Sequence, residues 1–287
     1  MSGTQAVSIR TMTPADIDFA TGLTHAAGWA SESLDVFAGF LEHDPHGCFI
    51  AAAGREKAGV CVATKYRKSG FIGELVVSRH MRLLGIGQML FQKALDYLLA
   101  ARLESIYLDG DLNAVSYYET MGFRKVCRSL RFRGKIKGKK HAQVRHLNPD
   151  DLQELCRLDR EWFGDDRGFF LRRRVENFPG LCLASEREGR LRGWIMARPG
   201  DGLLAVGPWA SISGNEDAAS LLEHLANEDS AAVFRIGVHE KNLDAVRLLR
   251  SWPGLQETIH SWFMVRGESD RLGDHPALYA IGSGAKG

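Results

Sequence analysis

The chain has 287 residues, 45% of them hydrophobic and 25% charged, with a formal net charge of +2. Length and composition suit a soluble globular protein of two ordinary domains, and a charge so close to zero says little about partners. No apolar run approaches the ~20 residues that cross a bilayer, and the opening MSGTQAVSIRTMTPADI lacks an apolar signal core. A cytoplasmic protein with no membrane partner is expected.

From the start, Ile9-Arg10 reads as a strand end. Thr13-Pro14-Ala15-Asp16-Ile17 follows as a polar cap, a proline in the first helical turn and an acidic residue. Residues 25–40 are a candidate acceptor loop. Gly28, Trp29 and Asp35 there could shape a pocket for a cationic amine, although a packed helix–loop corner is the preferred reading. In HDPHGCF, His43, His46 and Cys48 invite a metal. A fourth ligand of sensible spacing is missing, and Pro45-His46-Gly47 reads as a turn ahead of a strand, so no metal is expected. FIAAAGREKAGVCVA (residues 49–63) looks like a hairpin. Cys48, Cys61, Cys127, Cys156 and Cys182 are odd in number, irregularly spaced and mostly set in apolar runs, which predicts buried reduced thiols.

FIGELVV (residues 71–77) reads as a buried strand. After Ser78-Arg79-His80-Met81 comes Arg82-Leu83-Leu84-Gly85-Ile86-Gly87, then a helical pattern with Leu90, Ala94, Leu95, Leu98 and Leu99 on one face. A strand, a glycine turn and a helix start together present unpaired N–H groups and the positive end of a macrodipole to an anion. Arg82 adds a fixed charge. Gln88-Met89 after the glycines excludes an ATPase-type phosphate loop, and Leu90 excludes G-x-G-x-x-G. Another strand, Ser105-Ile106-Tyr107-Leu108-Asp109, leads to Asn113-Ala114-Val115-Ser116-Tyr117-Tyr118-Glu119-Thr120-Met121-Gly122-Phe123.

Two of these segments carry a family resemblance. Arg-x-x-Gly-x-Gly resembles the acetyl-CoA pyrophosphate loop of the GNAT acetyltransferase superfamily. The segment from Asn113 resembles its N-x-x-(A)-x-x-x-Y-x-x-x-G-F motif. The resemblance implies that an amine attacks the thioester of acetyl-CoA, the one cofactor implied. Pantetheine would lie along the backbone of Leu75, Val76 and Val77, where an N–H polarises the carbonyl. The pyrophosphate would rest on Arg82, Leu83, Leu84, Gly85, Ile86, Gly87 and Gln88. Asn113 would face the pantetheine or the sulfur, unless it simply caps the next helix. Tyr118 would be the general acid, with Tyr117 the core residue of the pair. Glu74, on the face opposite Leu75, is a candidate general base; the alternative is a surface glutamate paired with a lysine.

RKVCRSLRFRGKIKGKK (residues 124–140) is basic and lacks Asp and Glu. It reads as a strand with one solvated face running into a flexible linker. A phosphate or nucleic-acid site is disfavoured because no aromatic residues interleave the charges.

The order of features then recurs. Val144-Arg145 and Asn148-Pro149-Asp150-Asp151-Leu152 echo residues 9–17. LCLASEREGRLRGWIMA (residues 181–197) echoes the first hairpin, with Gly193 matching Gly59 and Ala197 matching Ala63. Asn242 echoes Asn113, and Arg266-Gly267 echoes Arg133-Gly134. The offset drifts only from 135 (Ile9 to Val144) to 129 (Asn113 to Asn242), as a duplicated domain gives. In place of the glycine loop the second copy has Gly214-Asn215-Glu216-Asp217, whose carboxylates repel a pyrophosphate. The Tyr118 position falls near Leu249. Trp162-Phe163-Gly164-Asp165-Asp166-Arg167 resembles an F-G-x-D-R signature of tandem acetyltransferases; a capped helix start with an internal Asp–Arg pair is its preferred reading.

The resemblance and the repeat together imply an α+β protein of two tandem GNAT-like domains, each a mixed, mostly antiparallel twisted sheet flanked by helices. Residues 1–134 would be catalytic, 135–143 a basic linker, and 144–287 a degenerate copy. The expected function is N-acetylation of a small-molecule or protein amine, without nucleic acid; the alternatives are an acyl-CoA-binding sensor and a scaffold. Monomer and homodimer both stay open.

Overall fold

A computed structural model describes residues 6–269 and 271–287. The chain runs β1 (Val7–Thr11), α1 (Ile17–Ala26), α2 (Leu34–His43), β2 (Cys48–Ala53), β3 (Glu56–Lys65), β4 (Ser69–Val77), α3 (Ile86–Ala100), β5 (Ser105–Gly110), α4 (Val115–Thr120) and β6 (Arg124–Gly134). It continues through β7 (Val144–His146), α5 (Leu152–Phe163), α6 (Gly168–Asn177), β8 (Cys182–Arg187), β9 (Arg190–Gly200), β10 (Leu203–Ser211), α7 (Asn215–Glu228), β11 (Phe234–His239), α8 (Leu243–Ser251), β12 (Leu255–Glu257), β13 (Ser261–Gly267) and β14 (Leu278–Ala280). Apart from β12 and β14, the second half repeats the element order of the first.

The repeat extends to its chemistry. Arg10 holds Asp16 through two hydrogen bonds of 2.7 and 2.8 Å, and Arg145 holds Asp151 at the same two distances. Each aspartate closes a capping box on Thr13 or Asn148 ahead of a proline. A Cβ on Gly59 would lie 2.8 Å from the Val76 carbonyl oxygen, and one on Gly193 2.5 Å from that of Ala210. The matched glycines mark the same close backbone approach in both copies.

The halves nonetheless share one sheet, ordered β1-β2-β3-β4-β5-β13-β6-β11-β10-β9-β8-β7. Its pairings are antiparallel except β4 with β5 and β10 with β11. The last long strand of each half has changed sides: β13 pairs with β5 of the first half, and β6 pairs with β11 of the second. They also pair with each other. Each half is therefore completed by a strand of the other, and backbone hydrogen bonds run across the join.

Helix α3 packs Ile86, Leu90, Phe91, Ala94, Leu95 and Leu98 onto the first-half sheet, each 0 or 1% exposed. Burying such side chains stabilises by roughly 1.5–3 kcal/mol each for the large ones. Leu99, expected on that face, is 42% exposed. The basic stretch is not a free linker. Lys135 N–H donates to the Gly254 carbonyl and Lys139 N–H to that of Glu223, while Ile136 is buried. Arg128 pairs with Glu240, Arg131 with Asp109 and Lys125 with Glu119, so much of the charge is spent inside the molecule. Among the described residues no helix is long and apolar enough to cross a membrane, and all five cysteines are free and buried.

The F-G-x-D-R segment joins the halves instead of forming an internal pair. Asp165 accepts from the N–H groups of Arg67, Lys68 and Ser69 and from the Ser69 hydroxyl. It thereby caps the turn that leads into β4. Arg167 pairs with Asp159 at 2.9 Å in the buried interior and donates to the Gly287 carbonyl. Gly164 ends α5 in the left-handed conformation at φ 96°.

Candidate functional site

Strands β4 and β5 pair in parallel only from Ser69 with Ser105 to Ile72 with Leu108, and then part. A bulge drives the separation. Glu74 lies at φ 51°, and the β3–β4 register slips between Val60 and Val62. The extra residue places Ile72 and Leu75, three apart, on the same core face. Beyond the bulge β4 keeps β3 as partner, so residues 75–77 border an open slot.

That slot runs into a cleft of about 680 Å³ lined by residues 75–77 and by the turn before α3. Leu83 and Gly85 in the turn have φ of 67° and 75°. A Cβ on Gly85 would meet no atom within 4 Å, and one on Gly87 only Val77 Cγ2 at 3.7 Å. Backbone conformation fixes Gly85, while the space in front of both glycines is open. No side chain caps α3, so its first-turn N–H groups and dipole face the cleft. Arg82 is exposed at the mouth, tied by Nε to the Val77 carbonyl at 3.2 Å.

Of the residues expected at the cofactor, Leu75, Val76, Val77, Arg82, Leu83, Gly85, Ile86, Gly87 and Gln88 line this cleft. Leu84, Asn113 and Tyr118 do not. Leu84 points outward, 61% exposed. Asn113 does not cap the following turn: the Asp111 carboxylate takes that role by accepting from Asn113 N–H at 2.9 Å, which leaves the Asn113 side chain exposed. Tyr118 is the buried member of its pair and Tyr117 the half-buried one, the reverse of expectation. The Tyr118 ring packs on Phe91, with centroids 5.1 Å apart, and behind Gly110. Burial pushes its phenol above the ordinary value, so it stays protonated at neutral pH.

Glu74 is not a surface glutamate paired with a lysine. It is 6% exposed, its Oε2 has no hydrogen-bond partner, and burial, followed by the nearby Glu32, pushes its carboxyl up to about 8. It faces a second cavity of about 240 Å³ at the junction of the halves, lined also by Glu32, Asp109, Arg131, Arg198 and Arg235. Trp29 and Asp111 line both spaces, so the cavity adjoins the cleft. Asp35 takes no part: it is bound by Arg173 and by Asn177 of α6. Sequence reasoning missed Arg198 and Arg235. A charged residue inside an otherwise apolar strand, as in WIMAR and VFRIGV, was the available signal.

His43, His46 and Cys48 are engaged separately. The His43 ring meets the Lys65 carbonyl at 3.0 Å, His46 N–H donates to Asp44, and the Cys48 thiol lies 3.6 Å from the Asp44 carbonyl.

The second copy of the slot is full. β10 pairs with β11 only over Leu204 to Val206 and then parts from it, as β4 does from β5. Here β14 enters the gap and pairs with Trp209 and Ala210. Tyr279 packs on Trp209 and its hydroxyl donates to Asn215 Oδ1 at 2.7 Å, at the start of α7. Asn242, the counterpart of Asn113, donates its amide to the Pro276 and Leu278 carbonyls at 3.0 and 2.9 Å. An extended piece of the chain itself thus fills the second slot, held by the asparagine and linked to the helix start by the Tyr279 hydroxyl.

Residues 16–123 match the model of the acetyltransferase (GNAT) family, and residues 155–280 that of an acetyltransferase (GNAT) domain. N-alpha-acetyltransferase 30 of Dictyostelium discoideum is 26% identical over 107 residues, which are 35% of this chain and 58% of that protein. The match thus spans under two thirds of that relative. A putative acetyltransferase from Pyrococcus horikoshii, 23% identical, has a TM-score of 0.83 over 99% of this chain and 96% of its own. A tandem GNAT protein from the clavulanic acid biosynthesis pathway, 13% identical, has a TM-score of 0.64 over 92% of this chain and 100% of its own. At these identities the likeness to the solved structures is one of fold.

Proposed function

The chain belongs to the GNAT acetyltransferase superfamily, and from that premise we propose that it is an acetyl-CoA-dependent N-acetyltransferase whose first half carries the chemistry. The observation that carries this reading is the contrast between the two slots. The slot beside residues 75–77 is open and ends on an uncapped helix start, whereas its counterpart beside β10 is filled by β14. The second slot shows the shape of occupant that the first one fits: extended, bonded by the asparagine amide, with a side chain that reaches a helix start.

Acetyl-CoA, when bound, supplies an activated acetyl thioester. Residues 75–77 would bind the pantetheine through backbone groups. The first turn of α3 and Arg82 would hold the pyrophosphate. Asn113 would take the place that Asn242 takes on β14. Glu74 would accept the proton of the attacking amine, and the partly ionised carboxyl near neutral pH suits that task. The N–C bond forms and the C–S bond breaks, and Tyr118 would donate its proton to the departing thiolate. The acceptor is an amine of a small molecule or a protein. The second half keeps the fold without acetyl-CoA: Glu216 and Asp217 stand at its helix start and Leu249 near the tyrosine position.

The test is calorimetric titration with acetyl-CoA, followed by an amine panel read by thiol release. Binding with turnover that falls about 100-fold or more in Tyr118→Phe supports the enzyme and the acid role. One observation favours a second reading, a non-catalytic acyl-CoA sensor: Tyr118 lines neither the cleft nor the cavity. Binding without turnover of any amine would select the sensor. No binding overturns both.

A further inference from the structure

The cavity at the junction holds guanidinium donors that no described residue takes up. Arg198 of β9 is 2% exposed, yet its Nε and Nη1 have no hydrogen-bond partner among the described residues. Glu32 is reached by Nη2 alone, at 3.3 Å to either oxygen. A guanidinium carries five N–H donors, and leaving several unmade in a buried site costs free energy unless something arrives to take them. Arg235 of β11 reaches into the same cavity and donates to the Ser31 hydroxyl at 2.8 Å. Arg131, the third lining arginine, is already matched by Asp109.

The cavity is lined by Arg131, Arg198 and Arg235 against Glu32, Glu74, Asp109 and Asp111, and two more cations lie behind it. Behind Arg198 lie Arg174, 8% exposed with Nη1 unpartnered, and Lys286, 6% exposed with its ammonium over the Phe40 and Phe170 rings. Burial and the neighbouring Arg198 pull Arg174 down to about 9. Burial with Arg198 and Arg174 pulls Lys286 down to about 7. Of the lining carboxylates, Glu32 is spent on Arg198, Asp109 on Arg131 and Asp111 on the Asn113 N–H, while Glu74 Oε2 is unpartnered among the described residues. An anion placed among these cations would favour their charged forms and take the donors that Arg198 leaves free.

We infer that the acceptor is a small primary amine that also carries an anionic group, carboxylate or phosphate, held by Arg198 and Arg235 of the second half while its amine faces Glu74. This rests on the acetyltransferase reading and adds the substrate class and a task for the degenerate half. The cavity, about 240 Å³, falls at the small-molecule end of binding sites. It adjoins the acetyl-CoA cleft at Trp29 and Asp111, as an acceptor site must. Arginine also suits the role chemically, since its planar fork pairs two N–H donors with one carboxylate or phosphate.

The experiment uses the full chain loaded with acetyl-CoA and matched amines: β-alanine against β-alaninamide, and phosphoethanolamine against ethanolamine. Thiol release gives kcat/KM for each, and calorimetry measures binding of the same four compounds. At least one anionic amine is expected to exceed its neutral counterpart by 10-fold or more. Which pair shows the excess separates carboxylate from phosphate. Arg235→Gln should reduce that preference roughly 10- to 100-fold, mainly through KM, with Arg235→Lys restoring part of it. The preference is a ratio within one variant, so a loss of folded protein cannot mimic it. Should Arg198→Gln fail to fold because it strands Glu32, Arg235→Gln carries the test alone. Equal or better use of the neutral amines overturns the inference and leaves the acetyltransferase standing. So does a protein that binds acetyl-CoA but neither binds nor acetylates an anionic amine. Failure to bind acetyl-CoA overturns the parent reading instead.

Discussion

Glu74→Gln separates what this carboxyl does for catalysis from what it does to stability. Burial, with Glu32 nearby, lifts the Glu74 carboxyl from 4.5 to about 8. The folded protein therefore holds this proton more tightly than the unfolded chain does. Its contribution is fully present below pH 4.5, is lost steadily as pH rises, and is gone once pH passes about 8. At 1.36 kcal/mol per pH unit, the 2.5 units between 4.5 and pH 7 amount to about 3 kcal/mol. Glutamine resembles the protonated form and does not titrate. Relative to wild type, Glu74→Gln should be close to neutral near pH 4.5 and should gain about 3 kcal/mol by pH 7. In a chain this long that is roughly 6–12 °C in melting temperature. Melting curves from pH 4.5 to 9 test the slope, which a constant packing offset from the amide cannot imitate. The kinetic arm is separate. If Glu74 accepts the amine proton, wild-type kcat/KM rises with pH toward about 8, and the variant loses that limb along with roughly 100- to 10,000-fold in rate. Melting differences that stay parallel across the range would refute the buried, unpaired carboxyl. Wild-type turnover in the variant would refute the base.

Two further outcomes follow from the loop and the filled slot. Gly85→Ala should cost about 1 kcal/mol, because φ is 75° and the new methyl meets nothing, with acetyl-CoA affinity kept within a few-fold. Gly85→Glu adds a carboxylate to the cleft and should weaken acetyl-CoA at least 10-fold by calorimetry, an effect that high salt partly relieves. Calorimetry should also give one acetyl-CoA per chain. Tyr279→Ala, which removes the ring on Trp209 while the backbone of β14 stays in the slot, should cost about 3–5 kcal/mol in urea unfolding without adding a second site, because β14, Glu216 and Asp217 remain. A stoichiometry of two would show that β14 does not exclude the ligand.

Local signals in the sequence were legible, and long-range ones were not. Pro14 and Pro149, the hairpin pairs and Gly59 with Gly193 each report a turn or a close approach within one copy, so their recurrence exposes the duplicated order. The glycine turn before α3 was readable for the same reason. The exchange of β6 and β13 leaves no trace, because a strand's composition says that it is half buried and not which neighbour it takes. Asn113 and Asp111 both suit a cap, and only the backbone geometry gives it to Asp111. Tyr117 and Tyr118 are adjacent aromatics whose burial depends on the pitch of a helix of only six residues. Arg198 and Arg235 lie 124 and 161 residues beyond Glu74, and only the closed sheet brings them together.

The strand exchange makes the second half part of the frame of the first half's slot. β5 has β4 on one side and β13 on the other, and β4 leaves it after Leu108. The edge at which the slot opens is therefore held in place from the side of β13, a strand of the second half. Asp165, from the same half, caps the turn that starts β4. Both strands that frame the cleft thus take their position from residues 144–287. The degenerate half also contributes Arg198 and Arg235 to the cavity beyond the bulge. These contacts lie on β9, β11 and β13 and in the turn after α5, away from the start of α7. Once β14 occupied the second slot, its N–H and C=O groups paired with β10. That edge then needed no cofactor to satisfy it. One slot became part of the core, and the other remained open beside a wall that both copies build.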